Sequence, residues 1–135
     1  MKTILATLVI FALFGCASSG AWKISHSIQD GYTYLSVTRP GDYASFNAVK
    51  SPHNVPKYAI SNDGRFIAYV SKENSVSELF IQQVSTGLRL TWVTIKDVTG
   101  ELRFRGQTVT YYSGADRLVV ELEDVETKLR EKFGK

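Results

Sequence analysis

The stretch Tyr58-Ala-Ile-Ser-Asn-Asp-Gly-Arg-Phe-Ile-Ala-Tyr-Val-Ser71 decides the fold class of this chain. β-branched and aromatic residues stand on both sides of Asp63-Gly64. That is the pattern of strand, turn, strand, because glycine supplies the positive φ that tight hairpins require.

On the N-terminal side of this hairpin, Ile24, His26 and Ile28 alternate with polar neighbours, and Tyr32–Thr38 is rich in β-formers up to Pro40-Gly41. Tyr43–Val49 is a weaker strand. Lys50–Pro56 contains two prolines with His53 and Asn54 between them and is predicted to be a loop. On the C-terminal side, Ser77–Val84 is a strand closed by Ser85-Thr86-Gly87. Leu88–Val98, Glu101–Arg105, Gln107–Ser113 and Arg117–Glu123 continue the β pattern, with turns at Gly106 and Gly114-Ala115-Asp116.

The period changes at the end. Val125, Leu129 and Phe133 recur at helical spacing, which predicts a helix over 124–133. Asp124 is its expected N-cap, Glu126 and Arg130 an expected i,i+4 pair, and Gly134 its stop. The apolar stripe can pack on the sheet or dock a partner.

Three segments repeat one pattern. Asp30-Gly31 precedes Tyr32–Ser36, Asp63-Gly64 precedes Arg65–Ser71, and Arg105-Gly106 precedes Gln107–Ser113. Gly64 and Gly106, Tyr69 and Tyr111, and Ser71 and Ser113 are each 42 residues apart. A period near 40 with several strands per unit is the mark of propeller blades. Ile60-Ser-Asn-Asp-Gly-Arg-Phe-Ile-Ala-Tyr-Val-Ser71, followed by Glu78-Leu-Phe-Ile81 and Thr86-Gly87, resembles one blade of the repeats in the periplasmic Tol-system propeller family. Asn62 stands where that family has Pro. The resemblance covers residues 58–87. A closed propeller needs at least four blades of about 40 residues, roughly 160 in all. The chain is shorter than that, with 135 residues. The expected fold is therefore all-β, an antiparallel sandwich, meander or small barrel of blade-like hairpins, with one C-terminal α-helix.

The leader carries a second pattern. Lys2 is followed by an apolar run from Ile4 to Phe14, broken only by Thr7, and Gly15 precedes Cys16, the single cysteine. Eleven residues of helix reach roughly 17 Å, short of a hydrocarbon core of about 30 Å. Leu13-Phe14-Gly15-Cys16 resembles the lipobox of bacterial lipoproteins. Phe14 is bulkier than that family prefers. The resemblance implies removal of residues 1–15, acyl chains (palmitate among them) on Cys16, and a lipidated tether over 16–21. A single thiol has no internal disulfide to form, and lipidation gives it a use. Ala17, where the family's retention signal would place Asp, implies the periplasmic face of the outer membrane in a host with two membranes. The competing readings are a plain signal cut after Ala17 and an uncleaved anchor. Residues 22–135 then form one β-rich domain.

The chain carries 16 basic and 13 acidic side chains, a net charge of +3. That is too mild to point to nucleic acid. His26 and His53 have no partner at metal-ligand spacing, and neither a phosphate-binding loop nor a Gly-x-Ser-x-Gly elbow is present. No cofactor, metal or catalytic residue is expected, although a Ser-His-Asp triad assembled from distant residues stays open. Arg103 and Arg105 project from one face of a strand, where they are either solvated or suited to an acidic partner. The candidate partner contacts are Arg103, Arg105, Val125, Leu129 and Phe133. Two function classes follow: a membrane-anchored, non-catalytic envelope lipoprotein that binds or scaffolds another envelope protein, or a periplasmic small-ligand or hydrolase-inhibitor module.

Overall fold

The computed structural model of the chain describes residues 21–73, 76–95 and 100–134. Cys16, the leader 1–15 and most of the tether lie outside them.

Among the described residues, ten strands form three antiparallel sheets, each in chain order. The first sheet holds β1 (Lys23–Gln29), β2 (Tyr32–Thr38) and β3 (Ser45–Ser51). The second holds β4 (Asn54–Ile60), β5 (Phe66–Glu73), β6 (Val76–Gln83) and β7 (Arg89–Ile95). The third holds β8 (Arg103–Arg105), β9 (Thr108–Ser113) and β10 (Asp116–Glu121). α1 (Leu122–Phe133) follows without a loop. The sheets are therefore three stacked meanders, and no sheet closes into a barrel among the described residues. The three repeated segments each mark the turn between the first and second strand of one sheet.

Burial explains the stack. Phe66, Ile67, Ala68, Tyr69 and Val70 are all buried. Side chains alternate across a strand, so β5 has a covered sheet on each side. Phe66, Ala68 and Val70 join Leu79, Ile81 and Leu90 against Val109, Tyr111 and Val120 of the third sheet and Leu122, Val125 and Leu129 of α1. Ile67 and Tyr69 join Val55 against Leu35, Val37 and Val49 of the first sheet. Burying each large apolar side chain stabilises by about 1.5–3 kcal/mol. The first strands β1, β4 and β8 neighbour one another on one side of the stack, and α1 packs against β7 and β10.

Two sheets are also joined by a polar contact. β3 carries an extra residue, because Leu35 pairs with Val49 and Ser36 with Asn47, leaving Ala48 between them. A bulge frees a backbone carbonyl from the ladder. The Gln82 amide of β6 donates to the Ala48 oxygen at 2.7 Å, which satisfies both groups.

Several expectations need correction. The predicted loop Lys50–Pro56 is only the turn Pro52-His53. Lys50 and Ser51 belong to β3, and Pro56 lies within β4. β4 is an edge strand, and its register slips between Asn54 and Lys57, so proline removes no ladder bond there. The Asp63-Gly64 turn is a five-residue loop, residues 61–65. Only Gly64 has positive φ, at 72°. Ser61 organises the loop: its hydroxyl accepts from the Phe66 N–H at 3.0 Å and donates to the Asp63 carboxylate at 2.8 Å. The two-residue hairpin with both residues at positive φ is instead Asp30-Gly31, at 51° and 82°.

The helix begins at Leu122, two residues before the expected cap. Leu122 is buried, and the Gln107 carbonyl accepts its N–H at 2.9 Å. Asp124 sits in the first turn with Glu123, where a negative charge favours the helix dipole. The cap position is Glu121, which makes no side-chain capping bond. Glu126 pairs with Arg65 across the fold rather than with Arg130, whose guanidinium approaches Thr127 at 3.4 Å. Gly134 closes the helix in the left-handed conformation, donating to the Arg130 carbonyl at 2.8 Å.

Candidate functional site

The third sheet has one buried and one open face. In β8, Phe104 packs toward the core, so Arg103 and Arg105 face outward. Pairing extends that face across the sheet. Arg103 stands opposite Thr110, and Thr110 opposite Val119. Tyr112 stands opposite Arg117. Thr110 is nevertheless buried, at 8 % exposure. Long arginine stems can cover such a position while their charged heads stay in water.

This face holds a groove of about 300 Å³ lined by Arg103, Arg105, Thr110, Tyr112 and Arg117, with Gly100 and Glu101 at its rim. The Tyr112 ring packs against Gly100. A Cβ at position 100 would come within 2.7 Å of the ring, so only glycine lets the ring approach. Arg103 is held by Glu101 at 2.5 Å. Among the described residues, the guanidinium groups of Arg105 and Arg117 have no acidic partner. A second groove of about 370 Å³ shares Glu101 and Arg103 and runs on to Pro56, Lys57 and Tyr58 of β4. The two grooves thus share Glu101 and Arg103, and between them they are bordered by Arg103, Arg105, Arg117 and Lys57.

A third groove, about 450 Å³, lies at the β4–β5 loop between Trp22, Arg39, Phe46, Gly64 and Arg65. Trp22 covers Gly64 so closely that a Cβ there would stand 2.1 Å from the indole. Asp63 sits beside it. Partial burial raises its pKa. The Ser61 hydroxyl, the Arg65 N–H and the Arg65 guanidinium outweigh that and hold the carboxyl below the ordinary aspartate value. Burial pushes the Tyr111 hydroxyl up, and also that of Tyr69, where the Arg89 guanidinium at 2.8 Å acts the other way.

The predicted contact residues separate into two groups. Arg103 and Arg105 line the open groove together. Val125 and Leu129 are buried against the second and third sheets, so that part of the helical stripe is core and cannot meet a partner. Phe133, the last residue of α1, is 38 % exposed. Sequence reasoning did not find Tyr112 or Arg117 as members of the arginine face. Strand register brings them there, and alternation within one strand carries no signal of it. Cys16 lies outside the described residues.

The histidines do not meet. His26 stacks on Tyr58, ring centroids 5.7 Å apart. His53 faces Glu73, Nε2 to Oε1 3.5 Å, and its main-chain N–H donates to the Ser51 hydroxyl at 3.1 Å. That hydroxyl closes the turn and makes no bond to the imidazole.

No protein-family model matches the chain, and no curated protein matches it in sequence. A solved structure does match in fold: TolB from Acinetobacter baumannii, with a TM-score of 0.57 and 19 % identity over 77 % of this chain. The chain has the fold of part of a β-propeller. It spans 29 % of the length of that TolB chain. The matched share, 77 % of this chain, is larger than the segment 58–87 whose pattern resembles one blade.

Proposed function

We propose that the chain is a non-catalytic, lipid-anchored protein of the bacterial envelope that binds another envelope protein. The leader pattern ending at Cys16 supports attachment to a membrane by acyl chains, at the periplasmic face of the outer membrane. The fold shared with part of TolB, a periplasmic propeller, supports the same compartment. The observation that carries the binding function is the open outer face of the third sheet. In a stack of sheets such a face is where the next element packs, and here it is a charged groove instead of an apolar one.

Two measurements test this. Cys16→Ser should abolish incorporation of labelled fatty acid and move the protein from the membrane fraction to the soluble one. Unchanged retention would overturn lipid anchoring. Crosslinking in intact envelopes should give one reproducible adduct of defined mass. Its absence would overturn protein binding.

The arginine groove also favours a second reading, an inhibitor or ligand-binding module whose clustered charge is the recognition element. A binding stoichiometry of one small molecule per chain, with no protein adduct, would select it.

A further inference from the structure

The geometry points to an occupant for the groove on the third sheet: an acidic, extended segment of the protein partner, whose carboxylates meet Arg103, Arg105 and Arg117. This rests on the protein-binding reading above and specifies its site.

The positions of the charges carry the inference. Arg103 and Arg105 are two residues apart on β8, a separation of about 7 Å along the strand. An extended segment laid beside them presents alternate side chains at the same interval. Arg117 stands two strands away, about 10 Å across the sheet. The charge is thus distributed along and across the groove. Arg103 is already engaged by Glu101 at 2.5 Å, so a carboxylate reaching it must share or displace that contact, while Arg105 and Arg117 have no acidic partner among the described residues. A small anion would engage part of the set, whereas several carboxylates on one segment can engage all of it. Arginine matches a carboxylate with paired N–H donors in a fixed fork. Tyr112, packed against Gly100 and lining the groove with Arg103 and Arg117, offers an apolar surface for the stem of an acidic side chain.

A second copy of this chain is a poorer occupant. The outer face of the first sheet carries Lys23 and Lys50, and none of its three strands contains Asp or Glu. The two outer faces of the stack repel rather than complement each other. Glu121 shares the face of the third sheet but borders no part of the groove.

The test uses the full chain in mild detergent and a fluorescein-labelled peptide of alternating Glu and Ser. Fluorescence anisotropy should show binding that weakens with added salt, and no binding of the matching Lys-Ser peptide. The Arg105→Ala/Arg117→Ala variant removes two exposed side chains without ion-pair partners among the described residues, so its circular dichroism should be unchanged. Its affinity should fall roughly tenfold, since desolvated arginines anchor interfaces. Arg39→Ala, in the groove at the other end, should leave affinity unaltered. Absence of binding, equal binding by the double variant, competition by inorganic phosphate at matched charge, or preference for phosphatidylglycerol vesicles would each overturn the assignment. So would self-association that the double variant abolishes. In intact envelopes, an adduct retained by the double variant removes the groove but leaves protein binding standing. Peptide binding without any adduct does the reverse.

Discussion

β5 and β9 hold the same place in their sheets, the second strand after a glycine turn, with Tyr69 and Tyr111 42 residues apart. Their surroundings differ. From Phe66 to Val70 every residue of β5 is buried, because a sheet covers each face. In β9, Val109 and Tyr111 pack inward while Tyr112 faces the open groove. One repeated unit therefore meets two environments. Between neighbours it holds the stack together. In the third sheet, among the described residues, the same backbone leaves one face to charged side chains. Under the proposed binding role, stability and recognition are divided between copies of one motif.

The largest test of that division is truncation of one side chain in each environment. Phe66→Ala removes a fully buried ring and should cost about 3–5 kcal/mol in chemical denaturation. Val119→Ala, half-exposed on the outer face of the third sheet, should change stability by less than about 0.5 kcal/mol. Comparable losses at both sites would mean that the outer face is covered in solution.

The same contrast governs what the sequence disclosed. β5 was legible because a run such as Phe66-Ile-Ala-Tyr-Val70 beside Asp-Gly has few other uses, and the repeat pointed correctly to blade-like units. The boundaries that failed were set by tertiary partners. Pro56 reads as a loop until β4 is known to be an edge strand with a slipped register. Asp124 reads as a cap until Gln107 is seen to receive the Leu122 N–H. The groove was half legible. Arg103 and Arg105 share a face by alternation alone, whereas Arg117 and Tyr112 join them through pairing of β8, β9 and β10, which no local pattern encodes.

The glycine turns sharpen the comparison at intermediate size. Gly64 and Gly106 are equivalent, and both have positive φ, 72° and 61°. A side chain at Gly64 would also collide with Trp22, while one at Gly106 meets nothing within 4 Å. Gly106→Ala should cost about 1 kcal/mol from backbone strain alone, and Gly64→Ala about 2–3 kcal/mol. In a Trp22→Ala background the Gly64→Ala cost should drop to the Gly106 value. A double-mutant cycle by thermal denaturation checks this, and additivity would show that Trp22 does not press on the turn.

Ion pairs should show a smaller difference of the same kind. Arg65 links the β4–β5 loop to Glu126 on α1, whereas Arg103 and Glu101 pair locally and in water. The Arg65–Glu126 coupling should approach about 1 kcal/mol and the Arg103–Glu101 coupling should lie near zero. Equal couplings would place both pairs in the same solvated environment.

The smallest effect concerns acid. Asp63 is the carboxylate of the β4–β5 loop, and its turn counterpart in the third sheet, Arg105-Gly106, has none. Because the folded pKa of Asp63 lies below the ordinary 3.8, the unfolded chain takes up its proton first as pH falls. The contribution is therefore complete above the unfolded value and disappears as pH drops through the lower, folded one. The carboxylate is largely exposed, so solvent screens the effect. It should appear as a shift of the acid-unfolding midpoint rather than as a change in stability at neutral pH. Asp63→Asn keeps an acceptor for the Arg65 N–H and removes the titration, so its unfolding curve should be flatter below pH 4 than that of the parent, by about the weight of one group. Ser61→Ala should raise the Asp63 pKa toward the ordinary value, read by carboxyl NMR titration, because it removes the strongest of the lowering contacts. An Asp63 that titrates at its ordinary value in the parent would mean that the Ser61 bond does not hold in solution, and the β4–β5 loop would then be as uncommitted as its counterpart at Gly106.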